Sequence, residues 1–295
     1  MRSQPLWHEA PTWARSRVSA LAGLAVALVA TNVASAQQPT NAFASGTGPS
    51  PGQVTLMEQF RYTRMTLRDG TPAQRGRIRE FSLENMVHVG LLPELTLAAV
   101  TPLSYRDRRF ERGPREEDAG VGDATIFASY RFLRHDFSPL NTLRVSALAG
   151  GQVRTGDGPF TGDSYNPLIG LAFTAIVDRH GFNGDCVWTF TTDGLAQPLR
   201  AGESTADALR YDLAYLYRLY PVEYAADTPG ALYAVCELNG VYETNGDNEL
   251  LIAPGIMWEA ATWALEVSAQ APIWRGISNR AETDYSIVIG LRLTF

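Results

Sequence analysis

The stretch Leu209-Arg210-Tyr211-Asp212-Leu213-Ala214-Tyr215-Leu216-Tyr217-Arg218-Leu219 decides the fold. Leu209, Tyr211, Leu213, Tyr215, Tyr217 and Leu219 fall on one side of a period-two chain; Arg210, Asp212, Ala214 and Arg218 fall on the other. Successive side chains of a strand point to opposite faces, whereas a helix repeats about every 3.6 residues, so alternation this long predicts a strand. The last segment repeats the pattern, with Tyr285, Ile287, Ile289, Leu291, Leu293 and Phe295 against Ser286, Val288, Gly290, Arg292 and Thr294. Similar runs begin near Val54, Ile78, Leu95, Asp123, Thr142, Leu168, Asn183, Ala231, Leu250 and Thr262, which gives about twelve strands.

The connections alternate in character. Leu92-Pro93-Glu94, Leu133 to Asn141, Asp178 to Phe182, Pro221 to Gly230 and Glu259 to Ala261 are expected on one rim. Asp69 to Arg77, Arg106 to Gly122, Thr155 to Pro167, Gly194 to Thr205, Thr244 to Glu249 and Arg275 to Asp284, mostly longer or more polar, belong to the other. Short turns at one end and polar loops at the other are the pattern of an outer-membrane barrel. No amphipathic helix is available to cover a soluble sheet of this size, and aromatics such as Tyr105, Phe132, Tyr220, Trp258, Trp263 and Trp274 stand near strand ends, where interfacial girdles lie. The expected fold is an all-β, transmembrane, antiparallel up-and-down β-barrel of about twelve strands.

Residues 1–36 are read as an export signal. Arg2, Arg15 and Arg17 precede the uncharged run Val18 to Ala30, and Ala34-Ser35-Ala36 offers the small residues a signal peptidase reads. That run falls short of the roughly 20 apolar residues a spanning helix needs. Residues 37–53, rich in Gln, Pro, Ser, Gly and Thr, are expected to form a flexible periplasmic leader, and 54–295 the barrel.

The chain has 295 residues, 45% of them hydrophobic, and 25 basic against 31 acidic side chains, a net charge of -6. Removing the signal takes three Arg and one Glu, so 22 basic and 30 acidic residues remain, and an acidic barrel is a poor partner for nucleic acid. Every basic residue is Arg; its planar fork suits pairing with carboxylates.

Charge on a strand whose other face meets lipid must point inward, because an Arg facing mid-bilayer lipid costs about 2–4 kcal/mol. The inward face therefore collects Arg61, Glu80, Glu84, His88, Asp123, Arg131 and Arg144 from the first half of the barrel. Arg210, Asp212, Arg218, Glu237, Glu243, Glu266 and Arg292 come from the second half. Two readings of this lumen are open: a wet path that biases solute passage by charge, or a salt-bridged filling that closes the barrel. Cys186 and Cys236 fall on the outward parity two strands apart, roughly 9–10 Å, which is beyond disulfide reach, so both are expected as free thiols.

No catalytic residue, metal site or cofactor is expected. His88 lies on the inward parity, and His135 and His180 fall in connections, so no histidine is placed to activate a serine as in a lipid-hydrolysing barrel. The acidic clusters Gly156 to Asp163 and Asn245 to Glu249 lack the spacing of a calcium loop and carry the Asp, Asn and Gly that turns require.

Several segments together resemble the outer-membrane family named for the meta-pathway of phenol degradation, whose members are labelled simply transporters. They are VGLLPELTLAAVTPL at 89–103, GVGDATIFASYRFL at 120–133, RTGDGPFTGDSYNPLIGLAFT at 154–174 and ELNGVYETNGDNELLIAPGIMWEAATWALEVSAQAPI at 237–273. The resemblance implies a barrel of this size and a channel or uptake role for small solutes, aromatic or hydrophobic ones among them. The charged segment Arg106 to Asp118 departs from it and is expected to pair with itself or with lipopolysaccharide phosphates. Further expected partners are outer-membrane lipid, a small-molecule solute and, through the terminal strand ending in Phe295, the barrel assembly machinery. The alternative is a structural or adhesion barrel with a closed lumen, working through its loops.

Overall fold

The computed structural model describes residues 38–68, 75–138, 141–195, 199–225 and 227–295; the expected export signal lies outside the described residues. The first five strands are β1 (Val54–Leu67), β2 (Gly76–Leu92), β3 (Leu95–Phe110), β4 (Arg115–Val121) and β5 (Ala124–Asp136). Next come β6 (Thr142–Val153), β7 (Asn166–Val177), β8 (His180–Thr189) and β9 (Ala208–Tyr220). The last four are β10 (Gly230–Glu243), β11 (Asn248–Ala260), β12 (Trp263–Gly276) and β13 (Glu282–Thr294). All pairings are antiparallel; β1 pairs with both β2 and β13, and β2 with β3, so the sheet closes on itself. At the seam Val54 and Phe295 exchange backbone hydrogen bonds of 3.1 and 2.8 Å.

β4 and β5 act as one stave. β3 pairs with β4 through Leu103–Arg109 and with β5 through Leu95–Val100, and the break between them falls at Gly122-Asp123. Pro102 stands opposite that break; it has no N–H to give to a ladder, though its carbonyl accepts from Gly122 N at 2.8 Å. The wall is thus a closed barrel of twelve staves. The segment Arg106 to Gly122, expected as a loop, is mostly strand: β3 runs on to Phe110 and returns as β4, its charges facing one another across the hairpin. His135 and His180 likewise sit in β5 and β8, because the turns near them are shorter than the sequence suggested; Val177 pairs directly with His180 around Asp178-Arg179, and Asp178 takes a positive φ of 56°.

The alternation read from sequence holds along β9, where Leu213 is 49% exposed, Ala214 1% and Leu216 0%. On β13, Tyr285, Ile287, Ile289 and Leu291 face out while Ser286, Val288 and Arg292 are buried. The outer wall is an apolar belt around the molecule. Cys186 and Cys236 lie on it, unbonded, with β9 between them: Cys186 faces Tyr211 and Cys236 faces Tyr215. One rim carries the short turns together with Val54 and Phe295, and is called the turn rim; the opposite one is the loop rim.

Ile287→Arg, in the middle of the belt, is expected to lower the stability of the barrel refolded in lipid vesicles by about 2–4 kcal/mol, read by denaturant titration.

Candidate functional site

The lumen is not empty. Residues 38–53, expected as a flexible leader, run from the turn rim into the barrel and along its inner wall, and Gln38, Asn41, Ala42, Ala44 and Ser45 are buried. The segment has no strand partner, so its backbone polar groups are met by wall side chains. Thr40 N donates to Glu266 (3.0 Å), Asn41 N to Glu237 (3.4 Å), Phe43 N to Asp212 (3.2 Å), Ala44 N to Asp185 (3.0 Å) and Gly46 N to Thr174 Oγ1 (3.1 Å). Four carboxylates on β12, β10, β9 and β8 therefore form a rail for one plug.

Asn41 is the pin of this plug. Its Nδ2 donates to Glu237 (2.6 Å) and Ser268 (3.0 Å), its Oδ1 accepts from Arg61 (3.0 Å), and its carbonyl accepts from Arg210 (2.6 Å). Phe43 stacks on Phe127 with centroids 4.9 Å apart, while Ala44 packs among Ala98, Leu148 and Val187. Gly46 passes so close to the wall that an added Cβ would stand 2.5 Å from the Arg144 carbonyl oxygen and 2.6 Å from Thr174 N. The sequence reading expected polar side chains inside; on β5 to β8 the plug lies on apolar ones, since Phe127, Leu148, Leu168 and Val187 are buried.

At the loop rim a second segment folds inward. Leu199 packs on Met65, Ile78 and Ala281, and the chain around it is tied by ion pairs. Arg106 bridges Glu80 (2.5 Å) and Glu203 (2.6 Å), and Arg200 also pairs with Glu80. Glu243, fully buried, accepts from Gly202 N (3.3 Å), Ser204 Oγ (3.1 Å) and Arg280 Nε (2.7 Å).

Between plug and cap lies a cavity of about 450 Å³. Arg61, Glu84, Asp123, Arg210, Asp212, Glu266 and Arg292 line it, seven of the fourteen inward residues expected from sequence. Glu80, Glu237 and Glu243 are buried in the wall behind the cap and the plug. His88 and Arg218 are buried nearer the turn rim; Arg131, which reaches the Pro93 carbonyl, and Arg144, paired with Asp136 at 3.4 Å, stand at that rim. Asp123 serves the loop beside it, accepting from Gly156 N (2.8 Å), Gly162 N (2.8 Å) and Thr161 Oγ1 (2.9 Å).

Two features of the cavity were missed from sequence. Met57, Met65, Met86 and Met257, the four methionines after Met1, all line it. Their inward parity was readable, yet only charged positions were collected. Among the described residues that line the cavity, Arg61 is the cation in no ion pair: it donates to Gln270 (2.8 Å), Asn41 (3.0 Å) and Gln59 (3.3 Å), all amide oxygens. Arg210 and Arg292 are paired, with Asp212 and Glu259 respectively.

No family model matches the chain, and neither does any curated protein. Among solved structures, the COG4313 outer membrane channel from Pseudomonas putida F1 superposes with a TM-score of 0.60 at 12% identity, covering 88% of this chain and 99% of that one. The β domain of the Bordetella autotransporter BrkA gives 0.50 at 12% identity, covering 83% and 100%. The likeness shows the fold.

The acids considered for metal binding tie neighbouring segments of the loop rim: Asp247 accepts from Ser278 N (2.8 Å) and Asn279 N (3.0 Å), and Asp157 from Val121 N (3.0 Å). Among the described residues no cluster of three or more His, Cys, Asp or Glu could hold a metal. His180 Nδ1 lies 2.8 Å from the Tyr215 hydroxyl, and His88 packs edge-on against Phe127.

Glu243→Ala is expected to destabilise the barrel by about 3–5 kcal/mol, because it leaves Arg280 buried without its nearest carboxylate. Glu116→Ala, which breaks a half-exposed pair with Arg108 on the hairpin, should cost no more than about 1 kcal/mol. Urea titration of the two variants checks the contrast.

Proposed function

We propose that the chain is an outer-membrane channel for small solutes, held closed in this structure by its own N-terminal segment. The observation that carries this reading is a cavity inside a closed barrel, bounded by a plug whose ties are chiefly polar. A hydrogen bond to a charged group, exchanged for bonds to water, changes stability by only about 1.5–3 kcal/mol, so a plug tied in this way can leave bond by bond, whereas one fused into the sheet could not. The apolar belt, the closed wall and the expected export signal support the outer-membrane placement. The turn rim then faces the periplasm and the loop rim the exterior, with the strand ending in Phe295 as the assembly signal.

The lining suggests the solute. Methionine side chains are unbranched and polarizable and adapt to aromatic surfaces, and Arg61 offers a cation bound only to amides. Small solutes with an apolar ring and an anionic group fit both, in agreement with the family resemblance. The second reading, a closed structural barrel, draws on the ion pairs that fix the cap over Glu80 and Glu243.

Planar-bilayer recording separates the two. Deletion of residues 38–50 is expected to raise conductance well above that of the full mature chain; flat traces from both proteins would overturn the channel. In liposome-swelling assays of the deletion protein, benzenesulfonate is expected to enter faster than uncharged arabinose, and Arg61→Gln should remove that preference.

A further inference from the structure

The outer wall of β1 to β4 carries a feature that passage through the lumen does not use. At the loop rim, directly above the apolar belt, arginines stand opposite arginines across neighbouring strands: Arg64 faces Arg79, Arg77 faces Arg109, and Arg109 faces Arg115. Like charges directly opposite one another on a sheet face are destabilising. The alternating residues Ile78 and Glu80 are buried in the lumen, so Arg77 and Arg79 point outward, and both are exposed. Neither forms an ion pair among the described residues. Asp107 is shared by Arg109 (3.2 Å) and Arg115 (2.8 Å), Arg115 also takes Glu117 (2.6 Å) and Arg64 takes Asp284 (3.4 Å), so the five arginines meet three carboxylates. A chain of net charge -6 has here concentrated the opposite sign.

Below the arginines lies a row of rings. Tyr62 meets Phe81 at 4.9 Å and Tyr285 at 6.0 Å, and Phe81 meets Tyr105 at 6.4 Å. Tyr62, Phe81 and Tyr105 form one side of an outward groove of about 450 Å³ whose other side is Arg79, Arg109 and Arg115, with Asp107, opposite Arg79, as the one carboxylate among its lining residues. An occupant must therefore be apolar where it meets the rings and multiply anionic a few ångströms higher.

We infer that this groove binds a phosphorylated, acylated glycolipid of the outer leaflet, a lipid A headgroup, with its acyl chains on the aromatic row and its phosphates between the facing arginines. Arg suits the task because its fork takes phosphate oxygens in pairs. Two phosphates on one rigid disaccharide relieve more than one facing pair at once, which a phospholipid with a single phosphate cannot. The inference rests on the outer-membrane orientation given above but not on conduction, and its test reads binding alone.

The full mature chain, refolded in detergent, would be titrated with bis-phosphorylated lipid A, monophosphoryl lipid A and phosphatidylglycerol, with bound lipid counted by native mass spectrometry. Affinity is expected in that order, with one lipid A retained per barrel. The double variant Arg77→Gln/Arg79→Gln should weaken lipid A binding about tenfold or more, while Arg134→Gln, on the opposite rim, should leave it unchanged. Heat-modifiable mobility on gels reports whether each variant is folded; if the double variant does not fold, Arg115→Gln on the projecting hairpin takes its place. Equal binding of phosphatidylglycerol, or lipid A binding that survives in a folded variant, would overturn the proposal.

Discussion

The interior of this barrel depends on one exchange: backbone N–H groups of Thr40, Asn41, Phe43 and Ala44 satisfied by carboxylates of the wall. A buried carboxylate without donors and a buried amide without an acceptor are each costly, and the contact lowers both penalties together, although one oxygen each of Asp185, Glu237 and Glu266 keeps no partner among the described residues. Because the donors are main-chain groups, the wall grips an extended chain with little regard for its side chains. Asn41 is the exception: its side-chain bonds to Glu237, Ser268 and Arg61 set the register. Arg61 and Arg210 stand beside the rail and offset its negative charge.

The exclusive use of arginine acquires a structural meaning inside this frame. Arg106 holds Glu80 and Glu203 at once, and Arg280 holds Glu243 and Glu249. A planar fork with five donors can divide itself between two carboxylates, whereas an ammonium acts as a point charge. Each of these arginines joins the wall to an inward-folded loop or secures the rim beneath it. The cap is thus held by charge and the plug mainly by backbone hydrogen bonds.

The wall was legible in the sequence because lipid enforces a two-residue period along most of each strand, Glu58 opposite Leu291 being an outward exception: a single shift of register would turn Arg210 or Asp212 into the belt. The inward parities of Arg61, Glu237 and Glu266 followed from the same rule. The plug was not legible, since Gln38 to Gln53 has the composition of a linker and its order comes mainly from distant partners; Asn41 and Glu237 are 196 residues apart. The hairpin of β3 and β4 was hidden for a related reason. Its charges resemble a solvated loop until the pairing of β3 with β4 brings Arg108 opposite Glu116 and Arg115 within reach of Asp107. Rank by charge also concealed the methionines, which share inward parity with the charged residues but carry none of their signal.

Plug and cap belong to opposite ends of the same cavity. The plug enters at the turn rim, where Gly52 N and Gly90 N bond the carbonyls of Gly90 and Gln53, and its described beginning, Gln38, comes back toward that rim, its carbonyl accepting from Arg292. Both of its ends therefore lie on one side, and it can be withdrawn without threading a free end through the barrel. The cap is a loop between β8 and β9, anchored at both ends on the loop rim, and it can swing only outward from there. Its release requires parting buried ion pairs, whereas release of the plug exchanges hydrogen bonds for water. The cheaper opening is the one on the turn side, so in a barrel of this construction the state of the N-terminal segment, more than that of the loops, sets whether the cavity is in contact with solvent.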